Sequence, residues 1–222
     1  MNNIKKGFTL AEVLVTLSIV GIVAVLTIPS IVKNYRYKTY VTSLKKIYSQ
    51  VTDAAQAIMN DEMTTDFHKT TAGVPSDGNK GAGYFLRNYF KSSEACTTPS
   101  LGSACLGSSY KTFHGTPITS IFGEYCIRTV NGATLCMMLN TDNNDSSIFV
   151  DVNGPSDPNI VGLDAFVMTI NEYGLVSDWP DGTSETCNNK TKEGEAIEDH
   201  AQGCLKQIMD DGWIIDDTKW TK

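Results

Sequence analysis

The order of apolar and polar positions divides this chain into three stretches: an apolar run near the start, a striped segment behind it and a mixed remainder. The run extends from Phe8 to Ile28 and holds one ionisable side chain, Glu12, near its beginning. Written as a helix, Phe8 to Ile28 is about 31 Å long, enough to cross the hydrocarbon core of a bilayer. With its flanking residues it predicts a transmembrane helix over residues 8–32. Gly21 and Pro29 are expected to interrupt that helix. Glycine lowers helix propensity by about 1 kcal/mol, and proline removes a backbone donor. Beyond Pro29 the helix resumes with one apolar face. Tyr37, Tyr40, Val41, Leu44, Ile47, Tyr48, Val51, Ala55 and Ile58 recur at intervals of three and four, so residues 33–60 read as an amphipathic continuation.

Residues 61–222 read as one globular head, long enough to bury a core. Residues 61–83 and 92–109 are rich in small and polar residues and are expected to be loops. Between them, the segment from Gly83 to Phe90 predicts a short helix. Strands are expected near 123–130, 134–140, 146–152 and 165–171, with a weaker candidate at 174–178. A short helix around 196–210 then precedes the apolar Trp213-Ile214-Ile215. No internal repeat is visible. A long helix followed by an antiparallel sheet defines the α+β class.

Charge adds orientation. The chain carries 18 Lys and Arg against 25 Asp and Glu, a net charge of −7. Lys5 and Lys6 stand before the apolar run, and a long acidic region follows it, which favours an N-in, C-out orientation by the positive-inside rule. Lys33, Arg36, Lys38, Lys45 and Lys46 form a basic section just outside the bilayer. A solvated helix face is the expected role, with lipid head groups or acidic neighbours as the other contacts available. The overall acidity argues against nucleic acid as a partner. Glu12 stands apart, because an ionisable group within a membrane segment costs roughly 2.5–3.5 kcal/mol and marks a functional candidate.

The residues around Glu12 carry a family resemblance. Gly7-Phe8-Thr9-Leu10-Ala11-Glu12, followed by an apolar helix, resembles the cleavage and assembly signature of type IV prepilins and type II secretion pseudopilins. The resemblance implies that residues 1–7 are a leader, cut between Gly7 and Phe8 by a prepilin peptidase, with methylation of the new amine on Phe8. An ordinary secretory signal is cut after its apolar region and discarded. Here the anchor is retained. Loss of Lys5 and Lys6 takes the net charge from −7 to −9. Other implied partners are pilin or pseudopilin subunits, an inner-membrane assembly platform and membrane lipid. The implied fold is pilin-like, a long N-terminal transmembrane and amphipathic helix followed by an antiparallel β-sheet head with disulfides. The implied location is the bacterial inner (cytoplasmic) membrane, single-pass with the head outside, and then a pilus or pseudopilus. Glu12 would pair with the Phe8 amine of an adjacent subunit, a pairing better suited to setting registry than to net stability. In such pilins the segment from Gly21 to Pro29 corresponds to one that can unwind on assembly; a modest kink is the equal alternative.

All six cysteines lie beyond the apolar run. An even number in an exported domain points to disulfides, although six allow fifteen connectivities. Sequential pairing is favoured: Cys96–Cys105, Cys126–Cys136 and Cys187–Cys204. A three-residue loop, Val130-Asn131-Gly132, would set Cys126 opposite Cys136. A two-residue Asn131-Gly132 loop would set Cys126 opposite Met137 and send the cysteines to opposite faces, so the hairpin leaves that pair open. No Cys-x-x-Cys or Cys/His cluster suggests zinc.

A second motif spans Asp151-Val152-Asn153-Gly154-Pro155-Ser156-Asp157-Pro158-Asn159, with Gly162, Asp164 and Phe166 beyond it. It resembles a head-domain signature of some pseudopilin-like proteins. The favoured reading is a tight loop in which Asp and Asn side chains bond their own backbone. Calcium is the other, with Asp151, Asn153, Asp157 and Asp164 as ligands, since oxygen at alternate positions suits a hard cation.

Catalysis finds little support. His68, His114 and His200 are scattered, and no nucleophile elbow is present. Asp210, Asp211, Asp216 and Asp217 read as a solvated acidic face. Trp179, Trp213 and Trp220 suit either packing or a groove, with packing preferred for Trp213. The sequence therefore points to a structural subunit, a pseudopilin or minor pilin, rather than an enzyme. The alternative is a filament-tip binding or adhesion module presented by the same anchor. Mass spectrometry of the membrane form should find a chain beginning at methylated Phe8. A chain still beginning at Met1, in a host with active prepilin peptidase, would contradict that processing.

Overall fold

The computed structural model describes residues 7–76, 79–121, 123–139, 146–179, 187, 196–216 and 218. Helix α1 runs from Leu10 to Asp61, 52 residues, and continues unbroken through Gly21 and Pro29. The expected interruption is therefore not present in the single chain. A proline removes one donor, and long apolar helices tolerate it when the turns on either side hold their own bonds. Chain contacts divide the protein into Met1–Thr39 and Tyr40–Lys222, with the boundary inside α1.

In the first unit no apolar side chain of the span is buried within the chain, and its hydropathy marks it as a candidate membrane helix. Three of its hydroxyls are satisfied internally. Thr16, Ser18 and Thr27 donate to the carbonyls of Val13, Leu14 and Val23 at 2.8–2.9 Å. That arrangement lets polar residues sit on a lipid-facing helix without orphaned groups.

The second unit contains the rest of α1, a 3-10 turn at Phe67–Lys69, α2 (Ala82–Tyr89), β1 (Ser92–Cys96), β2 (Tyr110–Lys111) and β3 (Pro117–Ile118). It continues with β4 (Tyr125–Thr129), β5 (Thr134–Leu139), β6 (Ser146–Asp151), β7 (Ala165–Ile170) and β8 (Val176–Asp178), then α3 (Ile197–Ala201) and α4 (Cys204–Asp210). Six strands form one antiparallel sheet in the order β1-β4-β5-β6-β7-β8, and β2 pairs with β3 separately. The chain is α+β and pilin-like in this respect, with a long apolar N-terminal helix, an antiparallel sheet and disulfides.

Register assigns the two faces of the sheet, because directly opposed residues point the same way and neighbours along a strand alternate. Cys126, Cys136, Phe149 and Val167 oppose one another in turn and share one face. Tyr110 packs edge-on against Phe149 there, with ring centroids 5.6 Å apart. Ile127, Leu135, Val150 and Phe166 share the other face, as do Tyr125, Met137, Ile148 and Met168. Helix α2 lies on this second face, with the backbone at Gly83 close against the Tyr125 ring. The striped half of α1 buries Leu44, Ile47, Val51, Ala54, Ala55 and Ile58, and Tyr48 donates to the Val176 carbonyl at 3.1 Å. With both faces covered, β6 and β7 are buried at every position.

Two elements depart from the sequence reading, and a third settles a choice it left open. Residues 92–96 form edge strand β1 within a stretch expected to be loop. Its Ser, Glu and Ala side chains are exposed, so no apolar alternation announced it. The helix expected over 196–210 is two helices, separated at Gly203, whose φ of 75° is left-handed. The β4–β5 hairpin adopts the three-residue loop: Thr129 N–H donates to Ala133 at 2.7 Å and Gly132 takes φ 92°. Cys126 consequently faces Cys136. Disulfides join Cys96 to Cys105, Cys126 to Cys136 and Cys187 to Cys204. Asn140, within the expected 134–140 strand, lies outside the described residues.

Phe149 is fully buried between the sheet and Tyr110. Phe149→Ala should destabilise the head by about 3–5 kcal/mol. Denaturant unfolding followed by tyrosine and tryptophan fluorescence would measure it; a loss below 1 kcal/mol would mean this contact is not part of the core.

Candidate functional site

The expected processing and assembly residues fall at the entry of α1. Thr9 stands immediately before the helix, and its carbonyl accepts the Val13 N–H at 3.3 Å. Its hydroxyl accepts the Glu12 N–H at 3.2 Å. In return, Glu12 Oε2 accepts both the Thr9 N–H and the Thr9 hydroxyl at 2.8 Å. This reciprocal pair is a capping box, which satisfies donors that the first helical turn leaves free. The sequence reading gave Glu12 an intermolecular role and missed this local one. The Thr-x-x-Glu spacing ahead of an apolar run was its visible signal.

Gly7 and Phe8 precede the cap, and Phe8 is 89 % exposed. A β-carbon added to Gly7 would meet nothing within 4 Å, and the same holds for Gly21. The chain's own packing thus gives no reason for glycine at either position. Lys5 and Lys6 lie outside the described residues.

Residues 2–28 match the family described as the prokaryotic N-terminal methylation motif. The chain therefore carries the prepilin-type cleavage and methylation segment of type IV pilins and pseudopilins. No curated protein and no solved structure matches the chain. The motif supports a pilin- or pseudopilin-like subunit processed by prepilin peptidase, and it suits a membrane-anchored protein rather than an enzyme.

In the head, the Asp151–Asp164 loop is held by its own backbone. Asp151 is buried; one oxygen accepts the Tyr110 hydroxyl at 2.6 Å and the other the Asn153 N–H at 3.2 Å. Asp164, also buried, accepts the N–H groups of Asn159 and Ile160 at 3.0 and 2.6 Å. Asn153 donates its amide to the Ser156 and Asp157 carbonyls. Asp157 is exposed. Protein donors therefore engage both buried carboxylates, as in the tight-loop reading. Among the described residues no group of three or more His, Cys, Asp or Glu could hold a metal. Gly154, with φ 65°, lies so close to the Gly132 carbonyl that a β-carbon there would sit 2.3 Å from it, which pins the loop to the β4–β5 hairpin.

A third buried carboxylate was not anticipated. Asp178, at the end of β8, accepts the Trp179 N–H at 2.8 Å and the Lys206 N–H of α4 at 3.0 Å. It ties the sheet edge to that helix. His68 sits 3.8 Å from Asp66, His114 is exposed and His200 is buried, so the structure does not assemble them into one site. Trp213 packs edge-on against Tyr48 at 5.8 Å, beneath the Lys45 ammonium. Trp220 and Asp217 lie outside the described residues.

Burial raises all three carboxyl groups against the pull of their N–H donors: Asp151 well above the usual range, Asp164 to about 6 and Asp178 to about 7. Their unfolded counterparts titrate near 3.9. The folded head therefore holds these protons more tightly, and the stability these three groups contribute falls as pH rises from about 4 to about 7. Asp178→Asn should flatten that fall. Denaturation midpoints across the window would measure it, and an unchanged slope in the variant would remove Asp178 from the effect.

Proposed function

We propose that this protein is a structural subunit, a pseudopilin or minor pilin, of a type II secretion or type IV pilus filament. The observation that carries the reading is the joint occurrence of the methylation motif at residues 2–28 and an apolar helix whose spanning side chains are not buried among the described residues. Such a helix needs lipid before assembly and other helices after it. Prepilin peptidase releases residues 1–7, the helix stays in the inner membrane with the head outside, and an assembly platform draws the subunit into the stack. Open space at Gly7 supports a requirement set by the peptidase rather than by folding. The same openness at Gly21 supports a segment, ending at Pro29, that is intact in the free chain and able to unwind on assembly.

Glu12 has two roles in this proposal. In the free subunit its carboxylate closes the box with Thr9. In the stack the same carboxylate meets the Phe8 amine of a neighbour and helps select the axial step, since a buried pair specifies registry.

Two substitutions separate the roles. Glu12→Gln retains an acceptor for the Thr9 N–H but lacks the charge; Glu12→Ala lacks both. Both variants should be cleaved, inserted and folded in the head, and both should be incorporated into filaments at least about tenfold less than wild type, as loss of a charge pair worth 1.4 kcal/mol would give. Wild-type incorporation of Glu12→Gln would assign Glu12 to capping alone.

A further inference from the structure

We propose that Lys33, Arg36 and Lys38, with Tyr35 and Tyr37, form a collar that binds anionic phospholipid head groups in the leaflet at the C-terminal end of the span. The inference rests on the span lying in a membrane and is independent of which filament the subunit joins.

The charge distribution is polarised. After Glu12 the chain has no carboxylate until Asp53, and within that interval lie five cations, Lys33, Arg36, Lys38, Lys45 and Lys46. Residues 53–222 carry 11 Lys and Arg against 24 Asp and Glu. Cleavage after Gly7 removes Lys5 and Lys6, and from Phe8 to Val32 there is no other lysine or arginine. The processed chain thus carries its basic side chains on the opposite side of the span from the leader lysines that oriented it.

Two negative partners are available in principle, an acidic head of a second copy or anionic lipid. Geometry favours lipid. Residues 33–36 and 38 are exposed, and Tyr37 is half-buried beneath the Lys33 ammonium, 5.4 Å from its ring centre. At 3.6 residues per turn, Lys38 lies about 140° round the axis from Lys33, and Arg36 about 60° the other way. Tyr35, 72 % exposed, fills the widest gap between them. Cations directed round the whole circumference suit head groups that surround a lone helix, whereas a docked protein would meet one side.

The axial spacing agrees. Lys33 to Lys38 spans about 7.5 Å of helix, close to the roughly 5–7 Å of head-group layer on one side of a bilayer. Ile31 and Val32, exposed and apolar, mark the hydrocarbon edge directly before it. Tyrosines at that level are the side chains expected at a membrane interface. Lys45 and Lys46 stand seven and eight residues beyond Lys38 in the sequence, in the second unit.

The test uses the processed full-length protein in vesicles of equimolar phosphatidylcholine and phosphatidylglycerol. Electron paramagnetic resonance of spin-labelled lipid reads the fraction of each held at the protein. At low salt, phosphatidylglycerol should be favoured by at least about threefold, since each cation near an anionic surface is worth roughly fivefold in binding. The preference should shrink as salt is raised and fall towards unity in K33Q/R36Q/K38Q, with head unfolding unchanged. It should persist in K45Q/K46Q. Equal association of both lipids with the wild type would overturn the proposal. So would a preference that survives the triple substitution, or one abolished by K45Q/K46Q. Zero-length cross-links from Lys33 or Lys38 to carboxylates of a second copy, in place of a lipid preference, would assign the collar to the acidic-head partner instead.

Discussion

The exposure of one apolar helical surface constrains everything else about this protein. From Phe8 to Val32 the side chains offer the hydrophobic effect a large reward, and none of them is buried among the described residues. Hydrocarbon and other helices of the same kind are environments that would collect it. Polar groups on that surface are best satisfied locally, and the hydroxyls of Thr16, Ser18 and Thr27 donate back to the helix. The one carboxylate is likewise placed at the first turn, where free backbone donors exist to meet it.

The box between Thr9 and Glu12 gives that carboxylate a resting state. In the proposed stack, a neighbour's amine would compete with the Thr9 N–H and hydroxyl for the same oxygen. Assembly would then be an exchange of partners rather than the rescue of a bare charge. An exchange of this kind costs less than transferring an unsolvated carboxylate, so under that proposal it would let a subunit wait in the membrane and still discriminate one axial step from another.

The head is governed by a different requirement, the covering of both faces of a six-stranded sheet. Helices supply one cover, and the segment carrying Cys105 and Tyr110 supplies the other. Covering a sheet on both sides forces some carboxylates inside. Asp151, Asp164 and Asp178 each sit where backbone N–H groups of a turn or helix start converge, and each fastens a loop or helix to a strand. The motif that begins at Asp151 is thus chemically a set of fasteners, held against the β4–β5 hairpin through Gly154.

The sequence by itself determined the span, its striped continuation, helix α2, strands β4 to β8 and the cleavage motif. Each is written in local periodicity or in contiguous residues, and a helix period or a Gly-Phe-Thr-Leu-Ala-Glu run needs no distant partner to be read. Glu12 stood out in sequence as a candidate carboxylate for the same reason, while its bond to Thr9 was legible only as a spacing. The tertiary structure alone decided the rest. Edge strand β1 exists because β4 offers it a partner, not because its exposed Ser, Glu and Ala prefer to be extended. Asn131-Gly132 allows two hairpin loops, and the face on which Cys126 packs selects the longer one. Asp178 could not be distinguished in sequence from a surface aspartate, because its partners belong to a helix that begins 26 residues later. Such choices depend on non-local pairing and burial, and these arise only when the chain has closed upon itself.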